Sequence, residues 1–233
     1  MTPPETSEEL LLRARALAGL SLAELAARLA VSVPPDLRRA KGWVGALFEA
    51  ALGATAKSKA APDFEALGIE LKTLPVTLQG QPLETTFVCT IPLTHMAHVE
   101  WQESRVFRKL RRVLWVPVEG TRSTPVGARR IGTALLWSPS PEEERDLRFD
   151  WEELAGMIGG GRVEDITGHL GRYLQVRPKA KDSHARRRGT GTDGATISAL
   201  PRGFYLRTSF TARILSQHFA LPTAERSPLG PGA

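Results

Sequence analysis

Apolar positions along this chain repeat with two rhythms, and each predicts its own elements. Two Ala- and Leu-rich stretches near residues 7–18 and 22–30 carry the three- and four-residue spacing of amphipathic helices. A capping-box pattern opens each of them, Thr6-Ser-Glu-Glu9 and Ser21-Leu-Ala-Glu24, in which hydroxyl and carboxylate satisfy orphan N–H groups of the first turn. Gly19 is the expected stop between them, and Val33-Pro-Pro-Asp36 a connector. KGWVGALFEAAL, from about 41 to 52, predicts a third helix that ends at Gly53. An acidic amphipathic helix is expected from Ser140-Pro141 to Gly159-Gly-Gly161, and TSFTARILSQHF (208–219) closes the fold as a last helix. Strands are expected at 68–74, 86–91, 112–118, 134–137, 172–177 and 203–207. The segment 180–199 is polar, basic and rich in Gly, Ser and Thr, so a mobile loop is expected there, and 221–233 reads as a frayed tail. No internal repeat is visible. Helices and strands mixed in this order predict an α/β or α+β fold, a mixed sheet flanked by helices.

Composition narrows the setting. The 233 residues suffice for one large domain or two small lobes, and the hydrophobic and charged fractions of 42% and 24% are those of a soluble globular protein. Cys89 is the only cysteine, so an internal disulfide and a thiolate zinc site are excluded. No secretory signal and no run of roughly 20 apolar residues is present, so a cytoplasmic protein without a membrane span is expected. The net charge of +6 is unevenly spread. Residues 170–213 hold ten Arg or Lys against Asp182 and Asp193, a net of +8 that leaves about −2 for the rest. RVFRKLRR (105–112) is a second basic cluster. Such asymmetry points to a polyanionic partner, nucleic acid first, although a solvated basic loop would produce the same count.

Candidate chemistry concentrates in PDFEALGIELK (62–72). Alternation sends Ile69 and Leu71 to one side of a strand and Glu70 and Lys72 to the other, a pattern that any half-buried strand with a solvated face would share. Asp63 stands upstream. Mg²⁺ in phosphate chemistry is held by one or two carboxylates, water and phosphate oxygens, and a carboxylate and an ammonium on one face can sit beside one phosphodiester. Glu49, among Trp43, Leu47, Phe48 and Leu52, is a candidate third carboxylate or else an edge residue at a core boundary.

Pro62-Asp63…Glu70-Leu71-Lys72 is also the Pro-Asp…(Asp/Glu)-x-Lys signature of restriction-endonuclease-like nucleases. Together with KGWVGALFEAALGA, PLETTFVC, RVLWVPVEG, ALLWSP, DWEELAGMI, YLQVRPKA and LPRGFYLRTSFTARIL, it resembles the MutH family, the strand-nicking endonucleases of methyl-directed DNA mismatch repair, over roughly residues 5–220. The resemblance implies a catalytic set of Glu49, Asp63, Glu70 and Lys72, with Mg²⁺ on Asp63, Glu70 and Glu49. It implies one endonuclease domain over 1–220, with a catalytic lobe of roughly 1–105, a DNA-reading lobe of roughly 106–220 and DNA in the cleft between them. It further implies nicking of the unmethylated strand at hemimethylated GATC, 5′ of the guanine, and latency until MutL, recruited by mismatch-bound MutS, activates the enzyme.

Residues expected at the DNA are Lys41, Glu84, Phe87, Arg177, Pro178, Lys179 and Tyr205, all placed there by the resemblance. Arg177 and Lys179 suit guanine O6 and N7, or else touch only phosphates. Phe87 reads equally as core. Tyr205, the resemblance's sensor of adenine methylation, reads equally as packing. Contacts of 180–199 cannot be transferred, since KDSHARRRGTGTDG has no matching pattern. Two other readings remain at this stage: a stand-alone restriction endonuclease that cuts both strands, and a catalytically silent DNA-binding protein on the same fold.

Overall fold

The computed structural model describes residues 1–56, 60–94, 96–179 and 184–219. The predicted tail at 221–233 and the first residues of the predicted loop, 180–183, lie outside the described residues. Helices α1 (Ser7–Arg15) and α2 (Leu22–Arg28) start where the capping boxes place them. Ser21 and Glu24 form both bonds of the box. At α1, Thr6 caps Glu9 N–H, while Glu9 takes the N–H of Glu5. Helix α3 (Trp43–Leu52) begins after Gly42 and ends at Gly53, whose φ of 75° is the left-handed C-cap that glycine adopts most easily. Helix α4 (Arg105–Leu110), capped by Ser104, was not expected from the pattern. Helix α5 (Pro141–Gly159) starts from a complete capping box of Ser140 and Glu143, and α6 (Thr208–Phe219) ends the described chain.

Three sheets are present among the described residues. Strands β1 (Glu70–Val76), β3 (Val113–Glu119) and β4 (Leu135–Trp137) form a mixed sheet, β1 parallel to β3 and β4 antiparallel to it. Strands β2 (Thr86–Thr90), β5 (Leu174–Pro178) and β8 (Arg202–Leu206) form an antiparallel sheet with β8 in the centre. Strands β6 (Arg187–Thr190) and β7 (Thr196–Ala199) make a hairpin inside the stretch expected to be a mobile loop. Strand pairing crosses residue 105 twice, β1 with β3 and β2 with β8.

The first sheet separates two hydrophobic cores. Ile69 and Leu71, with Leu114, Val116 and Val118, pack with Leu10, Leu22, Leu25, Phe48 and Leu52 from α1–α3. Leu74, Val76, Val113 and Trp115 point the other way, toward Trp151, Leu154, Phe204, Phe210 and Ile214 from α5, β8 and α6. Side chains alternate along a strand, so Glu70 and Lys72 share the face of Leu74 and look into the space between the sheet and this second core. The alternative of a plain solvated face is therefore not found: Glu70 is only 3% exposed.

Candidate active site

The local chain path explains the spacing of the acidic residues. After Asp63 a 3-10 turn over Glu65–Leu67 ends at Gly68, whose φ of 64° reverses the chain, and Phe64 and Ile69 exchange backbone hydrogen bonds of 2.9 and 3.3 Å. A side chain at Gly68 would also meet the Arg111 guanidinium at 2.6 Å. The reversal carries Asp63 back alongside the start of β1, where its Oδ2 accepts the Leu71 N–H at 2.8 Å. Seven intervening steps of sequence thus become one step in space.

Glu70 is gripped from two sides. Lys72 Nζ donates to Oε1 at 2.6 Å, and Lys109 Nζ donates to Oε2 at 2.8 Å and to the Ala61 carbonyl at 2.5 Å. Lys109 is 5% exposed. Residues this buried need partners, because an uncompensated charge away from water costs several kcal/mol. Asp63 feels the same dry surroundings: burial first, and the Glu70 carboxylate second, push its pKa up to about 6, against the opposing pull of the Leu71 N–H, Lys72 and Lys109. Two acids and two ammonium groups therefore meet at the start of β1, a concentration of charge of the kind that marks reaction sites.

Lys109 was missed in the sequence, where it read as one cation of a polyanion-facing cluster. Its helical face was the available signal. Val106, Lys109 and Leu110 are the buried residues of α4, so the lysine shares the inward side of an apolar stripe. Glu49, by contrast, is exposed on α3 while its neighbours Leu47 and Phe48 are buried. Among the described residues no three of His, Cys, Asp and Glu stand close enough to hold a metal ion. Glu49 is thus not gathered into a ligand trio with Asp63 and Glu70.

A second cluster lies on the β2-β8-β5 sheet. Phe87 stands opposite Tyr205 in register, their rings 5.3 Å apart in an edge-to-face pair. Gly203 makes room for them, since a Cβ there would meet the Phe87 ring at 2.8 Å and the Tyr205 ring at 3.3 Å. Lys179 Nζ lies 3.9 Å from the Phe87 ring centre, and the Arg177 guanidinium 5.9 Å from that of Tyr205. Arg177 also donates to Thr85 Oγ1 at 2.8 Å. Tyr205 is half-buried, and burial raises its phenol pKa, with Arg177 acting in the opposite sense. The structure thus brings together Phe87, Arg177, Lys179 and Tyr205, with Pro178 exposed between the two cations and exposed Glu84 beside Thr85. Lys41 is exposed in the turn that precedes α3, away from this sheet's strands.

The basic region is less uniform than its count suggested. Arg202 pairs with Glu164 at 2.7 Å, Arg207 holds the carbonyls of Gly168, Leu170 and Gly171, and Arg213 donates to the Tyr173 hydroxyl at 3.1 Å. Those three arginines build the fold. Arg177, Lys179, Arg186, Arg187 and Arg188 are the ones that reach solvent from the second sheet and the hairpin.

An α+β fold with acids and lysines converging at the head of one strand, and an aromatic and cationic sheet face nearby, has the construction of a nuclease. Comparison with known proteins agrees. Residues 52–150 match the family model described as the DNA mismatch repair enzyme MutH. The chain is 56% identical over 220 residues to the DNA mismatch repair protein MutH of Klebsiella pneumoniae (strain 342), which covers 94% of this chain and 95% of that one. It is 54% identical over 221 residues to the protein of the same name from Escherichia coli O6:K15:H31, with 95% and 96% covered. The chain belongs to the MutH family of DNA mismatch repair enzymes, and is an endodeoxyribonuclease.

Proposed function

We propose that this chain nicks the unmethylated strand at hemimethylated GATC sites with the help of Mg²⁺, during mismatch repair in the cytoplasm. The observation that carries the reading is Glu70 held between Lys72 and Lys109 with Asp63 alongside. The donor set fits a hard divalent cation. Burial first and the neighbouring Glu70 carboxylate second disfavour the charge on Asp63, and a divalent ion would relieve both. Asp63 and Glu70 are the residues that would hold Mg²⁺, with Glu49 a third if DNA draws it inward. When bound, the ion would acidify an attacking water and neutralise charge on the pentacovalent transition state. Lys72, once released from Glu70, is placed to orient that water or offset charge on the phosphate. Lys109, anchored to the Ala61 carbonyl, fixes the position of Glu70.

Reading of the site falls to the β2-β8-β5 face. Arg177 and Lys179 leave the end of β5 with their charges over aromatic rings, which orients them without neutralising them. Such groups suit guanine O6 and N7 in the major groove, and Tyr205 beside them suits the adenine N6 edge, where methylation adds bulk. Lys41, Phe87, Pro178 and Glu84 fill supporting places along the DNA, which runs in a cleft between two lobes. Activation is by MutL, recruited by mismatch-bound MutS. Among the described residues no helix is long and apolar enough to cross a membrane.

The test is a nicking assay on a hemimethylated GATC duplex with Mg²⁺, with and without MutL and ATP. Nicks on the unmethylated strand alone, stimulated by MutL, are expected. Cutting of both strands in one event without MutL would assign the chain instead to stand-alone restriction enzymes.

A further inference from the structure

The hairpin β6–β7 has no counterpart in the roles assigned so far, and its two faces differ sharply. Pairing sets Arg187 opposite Ala199, Arg188 opposite Ser198, Gly189 opposite Ile197 and Thr190 opposite Thr196. One face therefore carries Arg187, Gly189, Ile197 and Ala199: Ala199 is in the core, Ile197 packs against it, and a Cβ on Gly189 would meet Leu93 at 3.3 Å, while Arg187 at the open end of that face stays exposed. The other face presents Arg188, Thr190, Thr196 and Ser198, none of them buried and none apolar or acidic. Arg186 and Arg187 are exposed at the entry to the hairpin. Its one acid, Asp193, is turned to the backbone of the tip, accepting the Ala195 N–H at 3.0 Å.

The hairpin is clamped to the body at two places. Thr190 N–H donates to the Leu93 carbonyl at 3.2 Å. At the tip, Gly191 lies so close to Gly161 that a Cβ on Gly161 would come within 2.2 Å of the Gly191 carbonyl carbon. Position 161 also has a φ of 75°, so a side chain there is excluded twice over. Beyond β7 the chain enters β8 directly, and the Lys179 N–H donates to the Pro201 carbonyl at 2.7 Å, which joins the hairpin base to the cationic end of β5.

We propose that the outer face of this hairpin is a second DNA-binding surface, which grips the sugar–phosphate backbone of duplex flanking the recognition site and reads no bases. Guanidinium and hydroxyl groups are the side chains that bond phosphate oxygens, and such contacts position a protein without carrying sequence information. Continuity with the Arg177 and Lys179 end of β5 places the arm beside the reading cluster. The clamps hold it preformed, so engagement needs little ordering of the chain. This inference rests on the proposed reading of the chain as a GATC-directed nuclease, but it makes a separate claim.

The test measures binding of the full chain, inactivated by Asp63→Asn, to two labelled duplexes of equal length by fluorescence anisotropy across a salt series. One duplex contains GATC and the other lacks it. Arg188→Ala should weaken binding to both duplexes by the same factor and make the slope of log K against log salt shallower by roughly 0.9, the value of one lost phosphate contact. Arg188→Lys should keep most of the slope. An unchanged slope, or a loss confined to the GATC duplex, would overturn the proposal. If the parent protein itself shows no preference for GATC, the reading of its function fails, whatever the arm does to the slope.

Discussion

Two charged clusters face each other in function but differ in construction. At the head of β1 Glu70 and Lys109 are buried and Asp63 and Lys72 half-buried, and the charges close on one another, with Glu70 saturated by two lysines. On the β2-β8-β5 sheet the cations are exposed and rest on aromatic faces. The first arrangement is rigid and costly to disturb at Glu70 or Lys109, because removal of either strands its partner in a dry place. The second is cheap to disturb, because water already reaches its charges. Chemistry needs fixed geometry, and recognition needs groups that can exchange water for a ligand.

The sharpest way to break this contrast is Glu70→Ala. Nicking should be abolished, a rise of several kcal/mol in barrier, as a metal ligand and the partner of both lysines are lost together. Stability should also fall, by about 3 kcal/mol or more, since Lys109 would be left buried without its carboxylate. Thermal denaturation and single-turnover nicking of the same preparation check both. A variant that keeps the parent melting temperature would show that the lysines are not held by Glu70 in solution.

Asp63 predicts the opposite sign for stability. Its pKa is about 6 in the fold against 3.8 in an unfolded chain, so the neutral acid is the form that the folded protein prefers. The stabilising contribution is full below about 4 and is lost as pH rises through about 6. Asp63→Asn, which can still accept the Leu71 N–H, avoids that loss. The metal-free variant should therefore melt above the parent protein at pH 7.5, by an amount that holds down to about pH 6 and shrinks below it toward pH 4, while nicking disappears. Melting curves at five pH values in chelator settle it. A pH-independent difference would mean that Asp63 is not strained by burial and Glu70.

Substitutions on the reading face should leave stability nearly alone and act on selectivity. Tyr205→Ser keeps Asp63, Glu70 and Lys72 in place, and Tyr205 is half-buried, so the loss on unmethylated DNA should be modest. Discrimination should drop by the value of about one base-edge contact, 1–3 kcal/mol, so that methylated strands are nicked appreciably. Rates on unmethylated, hemimethylated and fully methylated duplexes give the ratio. An unchanged ratio would make Tyr205 a packing residue.

How much of this was visible beforehand depended on the range of the forces involved. The capping patterns at Ser21 and Ser140 act within one helical turn and were legible, as was the left-handed stop at Gly53. The alternation of Ile69, Glu70, Leu71 and Lys72 gave the right faces but not their surroundings, since a second layer covers the side that looked solvated. For Lys109 the helical face hinted at burial, but its partner, 39 residues away, was beyond the reach of any local pattern. The hairpin at 187–199 was hidden because its outer face is polar and its seat is a backbone approach between Gly161 and Gly191, which no side-chain pattern encodes.

Glu49 should give the smallest effect and tests the boundary between the two kinds of cluster. It is exposed on α3, so Glu49→Gln should alter stability by no more than about 0.5 kcal/mol. Its absence from any ligand trio means that it can contribute to metal binding only after DNA or a shift of α3 brings it closer. The substitution keeps size and hydrogen-bonding capacity and removes one negative charge from the neighbourhood of the ion. Half-maximal nicking should then need about ten times more Mg²⁺, with the rate at saturation much less changed. The comparison is a titration of single-turnover nicking against Mg²⁺ for the parent and the variant, each at saturating protein on the same hemimethylated duplex. An unchanged Mg²⁺ midpoint would remove Glu49 from the metal site and leave Asp63 and Glu70 as its only carboxylates drawn from the described residues.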